Sequence, residues 1–219
     1  ALMNFLAKMI ALQEAFIFRN IYFDEILLIT SLLIILGLIY WINKPNYKRT
    51  LTLVCTVLFF QGVLFYTKYQ NETAKNITVF SIYRNSLFSI RKGSQLTVYQ
   101  KDTTKTNSVI TNYAKVIGVS DIRFEKTPYL FDFQGENILY LDSLGVYPKT
   151  KNLKINKVII TQSPKINFER MLLIIKPQEV IADGTNFPSF VNKWKKKCDE
   201  LGVSFHSTAQ NGAYIWDNK

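Results

Sequence analysis

The stretch Lys157-Val158-Ile159-Ile160-Thr161-Gln162-Ser163-Pro164-Lys165-Ile166-Asn167-Phe168-Glu169-Arg170-Met171-Leu172-Leu173-Ile174-Ile175, followed by Glu179-Val180-Ile181-Ala182, decides the fold class. The apolar runs 157–161 and 179–182 are short, β-branched and closed off by polar residues and Pro177, so they read as strands. The longer segment 168–175 between them reads as a helix. The rhythm continues with a helix over 187–201 and strands over 203–206 and 212–216. Strands alternating with helices predict a sheet covered by helices. Working backward, 129–133 and 138–141 read as a strand pair joined by Gln134-Gly135-Glu136-Asn137. A helix is predicted over 105–117, ended by Gly118. Earlier still, 77–83, 87–90 and 96–99 read as a meander with turns at Arg84-Asn85-Ser86 and Lys92-Gly93-Ser94. Residues 70–219 therefore read as one α/β domain that opens with a polar linker at 71–76.

The first third is different. Residues 26–42 and 50–66 are two runs of 17 residues without a charge, the short end of what crosses a bilayer. Between them stands Asn43-Lys44-Pro45-Asn46-Tyr47-Lys48-Arg49. Pro45 stops helix propagation, and Lys44, Lys48 and Arg49 favour the cytoplasmic side. Tyr40, Trp41 and Tyr66 sit near run ends, where aromatic rings prefer the headgroup zone. Residues 23–69 thus read as a transmembrane hairpin with membrane lipid as partner, and residues 67–219 as extracytoplasmic. Residues 1–22 read as a helix that is amphipathic or packed against other membrane helices. Because the chain starts at Ala1 and enters at once into apolar residues, it reads as a fragment of a longer membrane protein.

The net charge is +11, from 27 basic and 16 acidic residues. Only Lys8, Arg19, Lys44, Lys48 and Arg49 fall within 1–66, so the excess lies mainly in the α/β part. It suits a polyanion, an anionic lipid surface or a plain solvated face. The basic residues form two groups: Lys149, Lys151, Lys154, Lys157, Lys165 and Arg170, with Lys176 beyond, and then Lys193, Lys195, Lys196 and Lys197. Sharing a face, they would track a nucleic-acid backbone, with an aromatic such as Tyr147 stacking on bases. Cys55 and Cys198 lie in different regions, so neither a disulfide framework nor a cysteine zinc site can be drawn. Cys198 reads as a packing residue near Trp194 and Leu201. Ser163 has no glycine-flanked elbow, which argues against a serine hydrolase.

Asp183-Gly184-Thr185-Asn186-Phe187, then Trp194, Cys198, Phe205-His206-Ser207-Thr208 and Gly212-Ala213-Tyr214, resemble in order and spacing the C-terminal end of ComEC-family competence proteins. The stretch 79–99 resembles that family's entry into a metallo-β-lactamase-like domain. The resemblance implies a bacterial inner-membrane, multi-pass channel for transforming DNA. Its expected partners are DNA as a single strand, the upstream membrane region of the same protein and other DNA-uptake components. It also implies an αββα-like fold behind the hairpin.

Intact family members carry a His-x-His-x-Asp-His metal cluster after the strand that matches 158–161. Here that position holds Gln162, Ser163, Pro164, Lys165, Ile166 and Asn167, without a histidine or aspartate. Asp183 offers one oxygen and His206, the sole histidine, one nitrogen. A hydrolytic zinc site needs several ligands and an open position. The domain is therefore expected to be a degenerate metallo-β-lactamase-like domain, without metal or other cofactor and not an enzyme, binding DNA or bracing the channel. The alternative is a metal-dependent nuclease that degrades the strand left outside. Two readings of Asp183-Gly184-Thr185-Asn186 stand beside each other: a phosphate-binding loop, or a turn at Gly184 with Thr185 or Asn186 capping the next helix. His206 reads as a hydrogen-bonded structural histidine.

Overall fold

A computed structural model describes residues 25–83, 85–101, 108–119, 121–148 and 154–217. The helix expected over 1–22 lies outside the described residues, as do Arg84 of the first turn and residues 105–107 of the predicted helix. The chain divides into two compact units, Ala1–Ala74 with Asn107–Asp121, and Lys75–Thr106 with Ile122–Lys219.

In the first unit, α1 (Glu25–Asn43) and α2 (Tyr47–Thr73) form an antiparallel pair. Both are long and apolar enough to cross a membrane, with mean hydropathies of 2.3 and 1.7. At 1.5 Å per residue, α1 spans about 28 Å, close to a bilayer's hydrocarbon thickness. Ile29, Leu36, Phe59 and Phe65 point outward, the pattern of a helix whose apolar face needs lipid. The turn is locked by its own chemistry. Arg49 donates to the carbonyls of Tyr40 (3.1 Å) and Lys44 (3.3 Å) and stacks over the Tyr40 ring. It thereby satisfies carbonyls that the end of α1 leaves open. Trp41 Nε1 donates to Thr50 Oγ1 at 3.0 Å. Helix α2 does not stop at 66. It runs through the stretch read as a polar linker, since Asn71, Glu72 and Thr73 contain no helix breaker and the Thr73 hydroxyl donates back to Tyr69 O. Only Ala74 separates it from the first strand. Helix α3 (Ser108–Val116) ends, as its glycine predicts, at Gly118 with φ of 68°.

The second unit holds two five-stranded sheets. The first comprises β1 (Lys75–Val79), β2 (Leu87–Lys92), β3 (Gln95–Gln100), β4 (Asp121–Glu125) and β10 (Tyr214–Asp217), in the order β10-β1-β2-β3-β4. The second comprises β5 (Leu130–Phe133), β6 (Glu136–Leu141), β7 (Lys157–Ile160), β8 (Glu179–Ala182) and β9 (Ser204–Ser207), in that order. Strand β5 is antiparallel to β6, while β6, β7, β8 and β9 run parallel. Helices α4 (Phe168–Ile175) and α5 (Pro188–Leu201) make the crossovers from β7 to β8 and from β8 to β9. A four-residue helix, α6 (Thr208–Asn211), precedes β10.

Strand alternation sorts the side chains into two cores. Val158, Ile160, Val180 and Ala182 face α4 and α5, packing with Met171, Leu172, Val191, Trp194 and Cys198. Ile159 and Ile181 face the other way, onto Ile77, Val79, Phe88 and Ile90 of the first sheet. The order is sheet, sheet, helices. Of the αββα expectation, the described residues of this unit supply one helical layer, on the parallel sheet. Cys198, on α5, is fully buried in the core between the helices and the parallel sheet, as expected, but Leu201 is exposed.

Strand β10 returns from the far end of the chain to pair with β1, and one polar cluster ties it to the parallel sheet. Lys157 and Glu179, paired in register on β7 and β8, form a 2.7 Å ion pair with side chains only 12% and 17% exposed. Tyr214 on β10 donates to the same Glu179 oxygen, and the Lys157 ammonium lies 4.5 Å from the Trp216 ring centre. Removing one partner leaves a mostly buried charge without its counterion. Lys157→Met should therefore cost about 3 kcal/mol in denaturant unfolding, and adding Glu179→Leu should restore part of that loss.

Candidate functional site

Because β6 to β9 are parallel, their carboxyl ends meet at one edge, where open α/β sheets bind ligands. Asp142 follows β6, Gln162 lies just beyond β7 and Asp183 follows β8. The loop after β7 is strained. Gln162 and Ser163 are consecutive non-glycine residues in the left-handed region, with φ of 59° and 48°, a conformation that costs of order 1–3 kcal/mol per residue. The loop after β8 holds it there. Gln162 N donates to Thr185 Oγ1 (2.7 Å) and Ser163 N to Asn186 Oδ1 (2.8 Å). Asn186 Nδ2 donates to Ile160 O (2.7 Å) and Asp183 O (3.1 Å). In return, Phe187 N donates to Ser163 Oγ at 2.7 Å.

This revises the capping expectation. The N-cap of α5 is Phe187, which has no side-chain cap bond. Thr185 and Asn186 are turned away from the helix to brace the neighbouring loop. Gly184 has a steric reason. A Cβ there would lie 2.9 Å from Ile82 O, so the β1–β2 loop passes directly over this backbone.

Asp183 is the centre of the arrangement and is 1% exposed. Its Oδ1 accepts from Thr185 N (3.0 Å), Thr185 Oγ1 (2.5 Å) and Asn186 Nδ2 (3.1 Å). Its Oδ2 is buried and makes no hydrogen bond. Burial pushes its pKa up to about 6, although Thr185 and the nearby Ser86 hydroxyl favour the charged form. The hydrogen bond that Ser86 forms is with Tyr140 Oη at 2.8 Å, and Thr161 Oγ1 donates to the same Oη at 3.3 Å.

The donors here do not fit a catalytic metal. Among the described residues, no three His, Cys, Asp or Glu side chains converge. One oxygen of Asp183 is consumed by three donors, and its neighbours are hydroxyls and amides. His206 does not join it. Its Nε2 lies 3.1 Å from Gly212 O, with the ring edge-on to Tyr214. The sequence-chosen residues therefore separate. Gln162, Ser163 and Asp183 come together, and Pro164 is buried. Lys165 is exposed, and Asn167 is the N-cap of α4, accepting from Arg170 N at 3.0 Å.

Two cavities open beside Asp183, both reaching Gln162. One, of about 330 Å³, is lined by Gln100, Lys101, Lys126, Tyr129, Tyr140 and Asp142, together with Thr127. The other, of about 650 Å³, is lined by Tyr83, Gly184, Thr185, Asn186, Phe187 and Pro188. Tyr83, Phe187 and Tyr129 are 77%, 64% and 53% exposed, unusual for large rings. None of these three stands out in the sequence, because the segments that carry them meet only through the fold.

The lysine groups fare unevenly. Lys149 and Lys151 lie outside the described residues. Lys154, Arg170, Lys193, Lys195 and Lys196 are exposed. Lys157 is taken up by Glu179, and Lys197 is paired with Glu200 (2.7 Å) and Glu169 (3.6 Å). Tyr147 is half-buried and packs against the helix-side core. The Cys198 thiol, pushed up to about 12 by burial, stays protonated.

Asp183 gives this edge a pH signature. Its folded pKa lies above the ordinary aspartate value of 3.8, so the folded state holds the proton longer. The stability this contributes is complete below pH 3.8 and is lost as pH rises through about 6, about 3 kcal/mol in all. Asp183→Asn keeps the Oδ1 acceptor and removes the titration. Unfolding free energies measured across that window should lose this slope in the variant.

Residues 77–218 match the family described as the ComEC C-terminal domain. No curated protein matches the chain. The match covers well over half of the sequence and contains the edge built around Asp183, so this chain belongs to the ComEC family, within its C-terminal region.

Proposed function

We propose that this chain is the non-catalytic C-terminal part of an inner-membrane channel for DNA uptake in natural transformation. In this reading the α/β domain, a degenerate metallo-β-lactamase-like domain, binds the incoming DNA or braces the channel and does not cut the strand. Family membership supports the uptake role. The non-catalytic role rests on the carboxyl edge of β7 and β8, where hydroxyls and amides engage the one buried carboxylate. Water activation by zinc requires several convergent N, O or S ligands, and this edge offers a hydrogen-bonded brace instead. Two sheets with helices over the parallel one support the fold assignment.

The purified chain, incubated with labelled single- and double-stranded DNA and with magnesium, manganese or zinc, should leave both intact. Divalent-dependent shortening that disappears in Asp183→Ala would establish the nuclease reading in its place.

Lys44, Lys48 and Arg49 at the hairpin turn support a cytoplasmic turn and an extracytoplasmic domain. With Cys55 and Cys198 changed to serine and Asn46→Cys as the single thiol, a membrane-impermeant maleimide should label cells only after permeabilisation. Labelling of intact cells would reverse the orientation.

A further inference from the structure

We infer that the two cavities joined at Gln162 form one seat for a single DNA strand, with Tyr83, Tyr129 and Phe187 as base platforms and Lys101 and Lys126 as phosphate contacts. This rests on the DNA-binding reading above and gives it a place other than the sequence-chosen lysines.

Binding a single strand without reading its sequence needs two things together. Cations must track the backbone, and flat rings must be open for unpaired bases to stack on. The lysines of α5 supply the first, and the rings that share their cavity of about 470 Å³ offer little open face, since Phe168 and Trp194 are buried and Phe190 is half-buried. Lys193, Lys195 and Lys196 are exposed, but the aromatic residues beside them, Phe190 and Trp194, are packed into the helix-side core. The edge groove supplies both. Lys101 and Lys126 line one cavity with Tyr129, while Tyr83 and Phe187 line the other. Between the two, Gln162 offers an amide that both donates and accepts, suited to the edge of any base. Among the described residues, the one carboxylate on the lining, Asp142, has its Oδ1 engaged by Leu144 N at 3.0 Å, and Asp183 is buried.

Two of the rings sit on backbone held by neighbouring loops. Gly184 lets the Tyr83 loop close over β8, and Ser163 fixes Phe187 through the 2.7 Å bond to its N–H. A duplex keeps its bases stacked on one another and cannot use these faces, so the seat selects single strands.

The full chain in lipid nanodiscs, titrated with fluorescein-labelled oligodeoxythymidylate and with a duplex of equal length, tests this by anisotropy. The single strand should bind more tightly than the duplex, with affinity falling as salt rises. Tyr83→Ala with Phe187→Leu should weaken it about tenfold or more. Lys101→Gln with Lys126→Gln should weaken it and flatten the salt slope. Lys193, Lys195 and Lys196 changed together to Gln should leave most of the affinity. Thermal unfolding of each variant within a few degrees of the parent confirms that binding alone has changed. Parent-like binding by both groove variants, or loss confined to the α5 variant, would overturn the seat while leaving DNA binding by the domain intact. If the parent chain binds neither DNA, the underlying reading falls with it.

Discussion

The bracing of one strained loop by the next is the constraint on which this edge depends. Gln162 and Ser163 adopt backbone angles that side chains resist, and they stay there because Thr185 and Asn186 accept their N–H groups. Asn186 also engages a strand carbonyl and the Asp183 carboxylate. Asp183 is thereby locked under the surface with one oxygen fully used. The geometry sets Phe187 at the mouth of one cavity and Gln162 at the junction of two. The strained loop, the engaged carboxylate and the placement of Phe187 share one network of bonds.

Much of the scaffold is legible from residue pattern, because the longer helices and the apolar strands of the last third announce themselves locally, whereas the four-residue α6 does not. The helix 168–175 and the strand 179–182 fall where the apolar runs place them. Strand β4 has no such signal: it alternates half-buried and exposed residues and has no apolar run to mark it. The pairing of β10 with β1 is a contact between distant segments, which no local pattern encodes. The extension of α2 to Thr73 is not legible from polarity, because polar residues do not end a helix; a breaker or a cap does.

For the site, chemistry was more legible than geometry. The absence of histidine and aspartate after β7 can be read directly from 162–167. The use of Thr185 and Asn186 could not, since both residues also suit a helix cap and only the neighbouring loop shows where their hydrogen bonds go. Charge was the least reliable guide. Lys157 and Lys197 look free in the sequence and are committed to glutamates in the fold. A ComEC C-terminal domain behind two long apolar helices fits a membrane protein of DNA uptake. In the reading proposed above, a closed, hydrogen-bonded edge leaves the transported strand whole.

The most direct test of that closed edge is the metal content of the purified chain after incubation with zinc or manganese and removal of excess ion, measured by inductively coupled plasma mass spectrometry. The account predicts metal far below one ion per chain, unchanged in Asp183→Asn. One tightly held ion per chain, lost in that variant, would contradict it.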